Sequence, residues 1–507
     1  MLQSAAAVAV WVGLSAFALI AAWSLAAPVY SGPDEPAQVL RAVSVAHGQL
    51  LGQAAEGPAN PRTWVVVPQA YAIGNELVRC FRRHPDVPAS CAPRLDVSSE
   101  PVSVTTYVGR YPPLYYLLVG WPSLLVASTA GVHLMRFASA LLSALMLALA
   151  LYAIRRWSAA TTLPLGVLVS ATPMVFYLGG MVNPNGLEIT AAICLWVSGL
   201  VLFIEHRQRP PVGLLAIVTV SALVLTSMRA LSPFWTVAIL IALISLGSWR
   251  QAWRLVRDRR AFRVAAGLLV AVGLGAAAWI VGDHAFDVIR AGTQVSPRAS
   301  NGRVLALAVR TAPSWIPQMV GIFGSLDTPA PQWALDIWYA ATLAVVALGL
   351  LSAQARRRAV LVGVVIVGFC VSVLVQFLQA RDHGLLWEGR YLLPFAVGVP
   401  LVSTALAARS PRMSALWRRL TPVLAVALSV AGVASLFQAL RRYTVGATGS
   451  LDLRGAWQPR GGSWTVMALA VMATAAFAGG ILVACRAQRG AIAAQTRAPD
   501  FSSSQAA

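Results

Sequence analysis

The chain has 507 residues, 58% of them hydrophobic and only 11% charged, with a mean hydropathy of +0.69. A soluble protein of this length carries more than twice that charged fraction, and an outer-membrane barrel would show alternating strands of about ten residues. The formal charge is +21, and all 39 basic residues are arginine; they cluster between apolar runs, the pattern of membrane topology rather than of nucleic-acid binding.

Apolar runs near the roughly 20 residues that cross a ~30 Å hydrocarbon core predict spans at 7–27, 131–154, 161–178, 187–204, 211–228, 233–248, 264–281, 336–352, 360–378, 391–408, 420–438 and 464–485. The first ends in "SLAAP" but lacks a positive n-region and is too long for a signal-peptide h-region, so it reads as a retained helix. After it comes "YSGPDEPAQVLRA" from Tyr30. Asp34 and Glu35 precede a helical apolar period at Val39, Ala42, Val43 and Ala46, with Pro36 in the first turn, where its missing N–H costs little. Two acids there serve as a helix cap and first-turn charges, or as a general base or metal-bound carboxylate.

Five cysteines follow: Cys80, Cys91, Cys194, Cys370 and Cys485. None has CxxC spacing. Cys80 and Cys91 share the first long loop and pair there if it faces an oxidising space; the other three lie in or beside apolar runs. "VGRYPPLYY" then sets Arg110 beside a Pro-Pro kink and Tyr111, Tyr115 and Tyr116. The tyrosines suit an interfacial belt, and Arg110 suits a phosphate.

The stretch 111–128 is apolar but short and holds Pro112, Pro113 and Pro122. If it does not cross and the N-terminus is inside, 20 arginines fall in short inner segments, among them Arg207, Arg209 and Arg497, with only Glu205, Asp258 and Asp500 as acids. The inner side is then +17 and the outer +4. If 111–128 crossed, the dense clusters would all move outside, against the positive-inside rule. It therefore reads as an interfacial helix on the outer surface. Twelve spans follow, with both termini cytoplasmic.

Further along, "GGMVNPNGLE" (179–188) is a turn by its Gly and Asn-Pro signals. "RVLALAVRTAPSWIPQMV" suits a second interfacial helix, followed by "GIFGSLDTPAPQW" with Asp327 at the membrane edge. "RDHGLLWEGRYLLP" (381–394) places Arg381, Asp382, His383, Glu388 and Arg390 in a short outer turn. Arg390, at the entry to a span, suits anion binding, and a lone His383 reads as a surface residue. The acids gather on one face, where buried charge needs partners or water. The expectation is one all-α polytopic domain over 1–485, with outer loops 28–128 and 282–335, and a disordered cytoplasmic tail over 486–507.

Taken together, "PDEPAQV", "YPPLYY", "VNPNGLE", "GIFGSLDTPAP" and "GRYLLP" resemble the motifs of a family of bacterial multi-pass predicted membrane proteins of unknown function, over roughly residues 28 to 400. That family is similar in turn to the GT-C superfamily of membrane glycosyltransferases, whose first outer loop is acidic and whose next span opens like "RFASALLSAL" from Arg136. Two positions depart from the pattern: Gln38 stands where the family has His, and Asn185 where it has Asp.

The resemblance implies an inverting transferase that takes a sugar from a polyprenyl-phosphate donor to an envelope glycan or lipid acceptor on the outer face of the bacterial plasma membrane. Asp34 would be the base. Arg390, with Arg110 or Arg381, would hold the donor phosphate. Glu35 would orient the acceptor or, with Asp34, help bind a divalent cation such as Mg or Mn. Tyr111, Asn183, Asp327, Glu388 and Tyr391, in the same motifs, are the candidate substrate contacts. Rival readings are a lipid-linked glycan ligase, a transporter and a non-catalytic scaffold. A transporter needs polar groups near the midplane, and the predicted spans hold almost none beyond Gln376 and Gln379.

Overall fold

The computed structural model describes residues 4–495 apart from 56–59, 96–97, 206–209 and 286–293. Arg207, Arg209, Arg497 and Asp500 of the topology argument lie outside the described residues. Helix α1 (Ala5–Ala26) is followed by α2 (Glu35–Ala46) and a small antiparallel sheet of β1 (Gln53–Ala54), β2 (Thr63–Pro68) and β3 (Pro101–Thr106), in that order. The strands are few and short, and the molecule is otherwise the helical membrane bundle that the sequence predicts. In "TWVVV" Val65 and Val67 are buried while Trp64 and Val66 are exposed, the period-two signature of a half-buried strand. Short helices α3 (Gln69–Ala72) and α4 (Gly74–Val78) lie between β2 and β3. Helix α5 (Leu114–Gly120) is seven residues long and passes into a 3-10 turn at Trp121. That is far too short to span, as the surface reading of 111–128 requires.

The bundle continues with α6 (Thr129–Trp157), α7 (Leu163–Ser170), α8 (Pro173–Gly179), α9 (Pro184–Leu200, prolonged by a π-helical turn to Glu205), α10 (Val212–Thr226) and α11 (Ser232–Leu246). It proceeds through α12 (Trp249–Asp258), α13 (Arg260–Gly282), α14 (Asn301–Gly321) and a minimal hairpin of β4 (Ile322–Phe323) and β5 (Thr328–Pro329). It closes with α15 (Gln332–Ser352), α16 (Ala355–His383), α17 (Gly389–Ala396), α18 (Gly398–Ala407), α19 (Pro411–Thr444) and α20 (Ser463–Gln495). Residues 486–495, expected to be disordered tail, are thus helical.

Among the described residues nine helices are long and apolar enough to cross a membrane, and ten if the bent pair α11–α12 is one span. The expected twelve counted three weaker segments. The run 161–178 is broken into α7 and α8 before Pro173, because proline removes a helical donor and disfavours helix in the residue before it. At 15 residues each, α10 and α11 reach only about 22 Å. Helix α14 is not among the candidate spans, consistent with an interfacial role.

Helix α9 is the axis: every residue from Pro184 to Leu200 is buried. It packs against α6, α10, α11 and α17, while α1 packs on α6 and α20. Phe395 of α17 stacks on Trp235 of α11 with centroids 5.3 Å apart and tilts against Trp196 of α9 at 5.9 Å. This aromatic knot anchors the C-terminal end of α17, the helix that carries Arg390, against the bundle core.

Candidate functional site

The turn between α1 and α2 sets the geometry. Asp34 has a left-handed backbone (φ 58°), and its side chain does not cap α2. Left-handed geometry is costly for a residue with a Cβ, least so for Asp and Asn. The cost frees the carboxylate to point away from the helix it precedes. Oδ1 accepts from the Tyr107 hydroxyl at 2.9 Å, and Oδ2 accepts from Arg390 Nη2 at 2.7 Å. Burial pushes the Asp34 carboxyl up, but Arg390 and the Tyr107 hydrogen bond outweigh it and hold the group below the usual carboxylate range. The Asp34 side chain keeps 32% exposure while Arg390 keeps 7%, so the acid is the accessible member of the pair.

Arg390 is shared. Its Nε lies 2.8 Å from Glu388 Oε2, although the N–H is not aligned for a hydrogen bond. Glu388 is pushed up by burial, offset in part by Arg390. Tyr391 stands between two guanidiniums, with Arg390 5.1 Å and Arg229 4.6 Å from its ring centroid. Arg229 also faces Tyr111 at 5.9 Å and donates to Asn185 Oδ1 at 3.0 Å. No carboxylate of the described residues lies within ion-pair distance of it. Asn185 in turn donates to Glu188 at 3.3 Å, and Glu188 accepts from Ser232 at 2.6 Å. The departure at Asn185 therefore leaves Arg229 bonded to a neutral group.

Glu35, adjacent to Asp34 in sequence, points elsewhere. It is fully buried and paired with the equally buried Arg136, at 2.7 Å from Nε and 2.5 Å from Nη2. Its oxygens also accept from the N–H groups of Gly32 and Val182. Arg136 donates further to the carbonyls of Ser24, Ala27 and Pro28, the orphan acceptors at the end of α1. Asn183, at the N-cap of α9, holds the same turn by donating to Pro33 O at 2.8 Å. Gln38, the second departure, accepts from the Tyr116 hydroxyl at 2.5 Å.

Asp327 belongs to a neighbouring polar group. It accepts from Arg442 Nη2, Arg83 N, Ser325 N and the Thr328 hydroxyl, and with Tyr30, Arg82 and Tyr443 it lines a small cleft. Arg442 also donates to the carbonyls of Phe81, His84 and Val87. These lie in the loop closed by the Cys80–Cys91 disulfide, the pairing that the shared loop allowed. Arg381 is spent on Ala299 O and Asn301, away from Asp34. The Arg110 carbonyl receives the Trp279 indole N–H at 3.0 Å, placing Arg110 next to the Tyr111 wall.

The structure thus gathers Asp34, Arg390, Glu388, Tyr391 and Tyr111 in one cluster, and gives Glu35, Asn183 and Asp327 to its supports. Sequence reasoning missed Tyr107 and Arg229. Arg229 carried a signal: it is the lone charge in a short turn between two apolar helices.

Fold and site define a polytopic helical membrane protein with a charged cluster at one end of its bundle. Residues 17–399 match the model of the family described as "Predicted membrane protein (DUF2142)", and the chain belongs to that family. No curated protein matches it. Among solved structures, the crystal structure of ArnT from Cupriavidus metallidurans bound to undecaprenyl phosphate is similar over 96% of this chain and 78% of that one, at 13% identity and a TM-score of 0.43.

Proposed function

We propose that this chain is an inverting GT-C-type glycosyltransferase, moving a sugar from a polyprenyl-phosphate donor to an envelope glycan or lipid acceptor on the extracytoplasmic face of the bacterial plasma membrane. The observation that carries the reading is the contact between Asp34 and Arg390. A base and an anion-binding guanidinium share one site beside a second guanidinium, Arg229, that no carboxylate of the described residues pairs.

In this reading the Asp34 carboxylate takes the proton from an acceptor hydroxyl as its oxygen attacks the anomeric carbon. The bond from that carbon to the phosphate oxygen breaks, and the electron pair leaves with polyprenyl phosphate. A single displacement inverts the anomeric centre. Arg229 and Arg390 stabilise the charge that grows on the leaving phosphate, with Arg110 at the Tyr111 wall. An arriving phosphate competes for Arg390, so it loosens that arginine's hold on Asp34 and raises the basicity of the carboxylate when it is needed. Tyr111 and Tyr391 flank the sugar, and Glu388 keeps Arg390 in place. Glu35 supports the turn. A divalent cation held by Asp34 and Glu35 together would have to displace Arg136 and two backbone N–H groups, so no step is routed through a metal.

The test is transfer in membranes supplied with a panel of polyprenyl-phosphate sugars, comparing wild type with Asp34→Asn. The expected result is loss of transfer in a folded variant; equal transfer would remove Asp34 from the role of base. Cellular glycans separate the ligase alternative. A transferase mutant lacks one sugar, whereas a ligase mutant accumulates complete lipid-linked glycan.

A further inference from the structure

Helix α12, "WRQAWRLVRD", is unlike the rest of the bundle. The chain turns by 107° between α11 and α12, so α12 runs nearly at right angles to a helix packed on the buried axis. Two features lock the turn. Arg356, from the first turn of α16, donates to the carbonyls of Ser245, Leu246 and Gly247 at 2.7, 3.3 and 2.9 Å, satisfying the acceptors that α11 leaves open at its end. Gly247 approaches Phe203 so closely that a Cβ there would sit 2.7 Å from its carbonyl oxygen.

Held this way, α12 sorts its side chains. Leu255 is buried and Val256 packs against the core. Trp249 and Trp253 are 54% and 68% exposed. Arg250, Arg254 and Arg257 are exposed too, at the i, i+4, i+7 spacing that stacks them on one helix face. No carboxylate among the described residues pairs with any of the three. The single acid of the helix is its last residue, Asp258. Arg254 Nε donates to the Arg250 carbonyl at 3.4 Å, which leaves its charge unneutralised. Exposed indoles flanked by arginines that no described carboxylate neutralises, on a helix turned across the bundle, are the makeup of a segment lying in the headgroup layer.

We propose that α12 is a lipid-recognition element. Trp249 and Trp253 seat it at the acyl boundary, and Arg250, Arg254 and Arg257 bind the phosphates of anionic phospholipids in that leaflet. The partner is an anionic lipid rather than a zwitterionic one. Three unneutralised guanidiniums attract net negative headgroups, and arginine grips phosphate through two parallel N–H groups. This element stands apart from the Asp34–Arg390 site and does not depend on the transferase reading.

The test uses the purified full-length protein in neutral detergent. It is titrated with phosphatidylglycerol or phosphatidylcholine of matched chain length, and bound lipid is counted by native mass spectrometry. Wild type is expected to favour phosphatidylglycerol by roughly ten- to a hundredfold. The variant Arg250→Gln/Arg254→Gln/Arg257→Gln should lose that preference, while the corresponding triple lysine variant keeps most of it. Trp249→Ala/Trp253→Ala should weaken both lipids alike. If the glutamine variant does not fold, wild type in 0.5 M salt serves instead, because screening should bring the two lipids close to parity (about 1:1). Equal binding of both lipids by wild type, an unchanged preference in the glutamine variant, or a preference that survives high salt would each overturn the proposal.

Discussion

Arg390 donates through Nη2 to the Asp34 carboxylate at 2.7 Å, across 356 residues of chain. One partner is held by the turn after the first helix and the other by the start of α17. Every element that fixes either end bears on whether the pair exists.

The pair should be visible as a pH-dependent stability. The native pKa of Asp34 is held below its unfolded value, so its contribution is complete above the ordinary aspartate range near pH 3.9 and is lost as pH falls through the native value. Asp34→Asn is expected to cost roughly 1–3 kcal/mol at neutral pH. The gap between wild type and variant should hold down to about pH 5 and narrow as pH falls further, through the unfolded value and then the lower native one. Thermal unfolding in detergent across that range checks it, and a gap that widens on acidification would contradict the assignment.

Glu35→Gln should behave in the opposite way to Asp34→Asn, as a folding variant rather than a catalytic one. Removing one member of a fully buried ion pair costs about 3–5 kcal/mol because the other charge is stranded, and Arg136 is wholly inside. Low folded yield and a lowered Tm are expected. A normally stable, inactive Glu35→Gln protein would instead return Glu35 to the chemistry.

Gly389→Ala tests how Arg390 is placed. A Cβ at Gly389 would collide with the Trp315 carbonyl and stand 2.9 Å from Gln318 Cβ, and the Gly389 N–H bonds Gln318 Oε1 at 2.7 Å. The start of α17 must shift, and Arg390 with it. A displacement of about 1 Å in a positioned group is enough for a roughly hundredfold loss of transfer. The prediction is that kcat falls by that order with little change in fold by circular dichroism.

Arg229→Gln and Arg381→Gln should part company. Arg229 faces Tyr391 and Tyr111 without a carboxylate partner among the described residues, whereas Arg381 is occupied with the 299–301 segment. Loss of one charged contact to phosphate predicts roughly tenfold or greater weakening of donor use for Arg229→Gln, and near wild-type transfer for Arg381→Gln. Initial rates against donor concentration decide between them.

The Cys80–Cys91 loop carries Arg82, which donates to Ser325, and Arg83, whose N–H holds Asp327. Opening the bridge with a reductant, or with Cys80→Ser/Cys91→Ser, should cost about 2–4 kcal/mol and loosen the Asp327 hairpin. A drop in Tm on adding dithiothreitol, absent in the double serine variant, is the expected signature.

The helical membrane architecture was legible in the sequence, because hydropathy over some 20 residues and the siting of arginine between apolar runs report directly on a solvent, the bilayer, that acts on each segment separately. Local chemistry was legible too: the Pro-flanked turn at Asp34, the Pro-Pro kink before α5, and the place of Arg390 at the start of a candidate span are short-range signals. Partner choice was decided only by tertiary structure. Asp34 and Glu35 are neighbours of the same charge, and no local rule says that one meets Arg390 while the other is sealed against Arg136. The left-handed turn at Asp34 sends their carboxylates apart, and that turn is stabilised by carbonyls, amides and helices distant in the chain. Arg229 and Arg381 likewise look alike as isolated arginines in turns, and packing alone gave the first two aromatic faces and the second a polar tether.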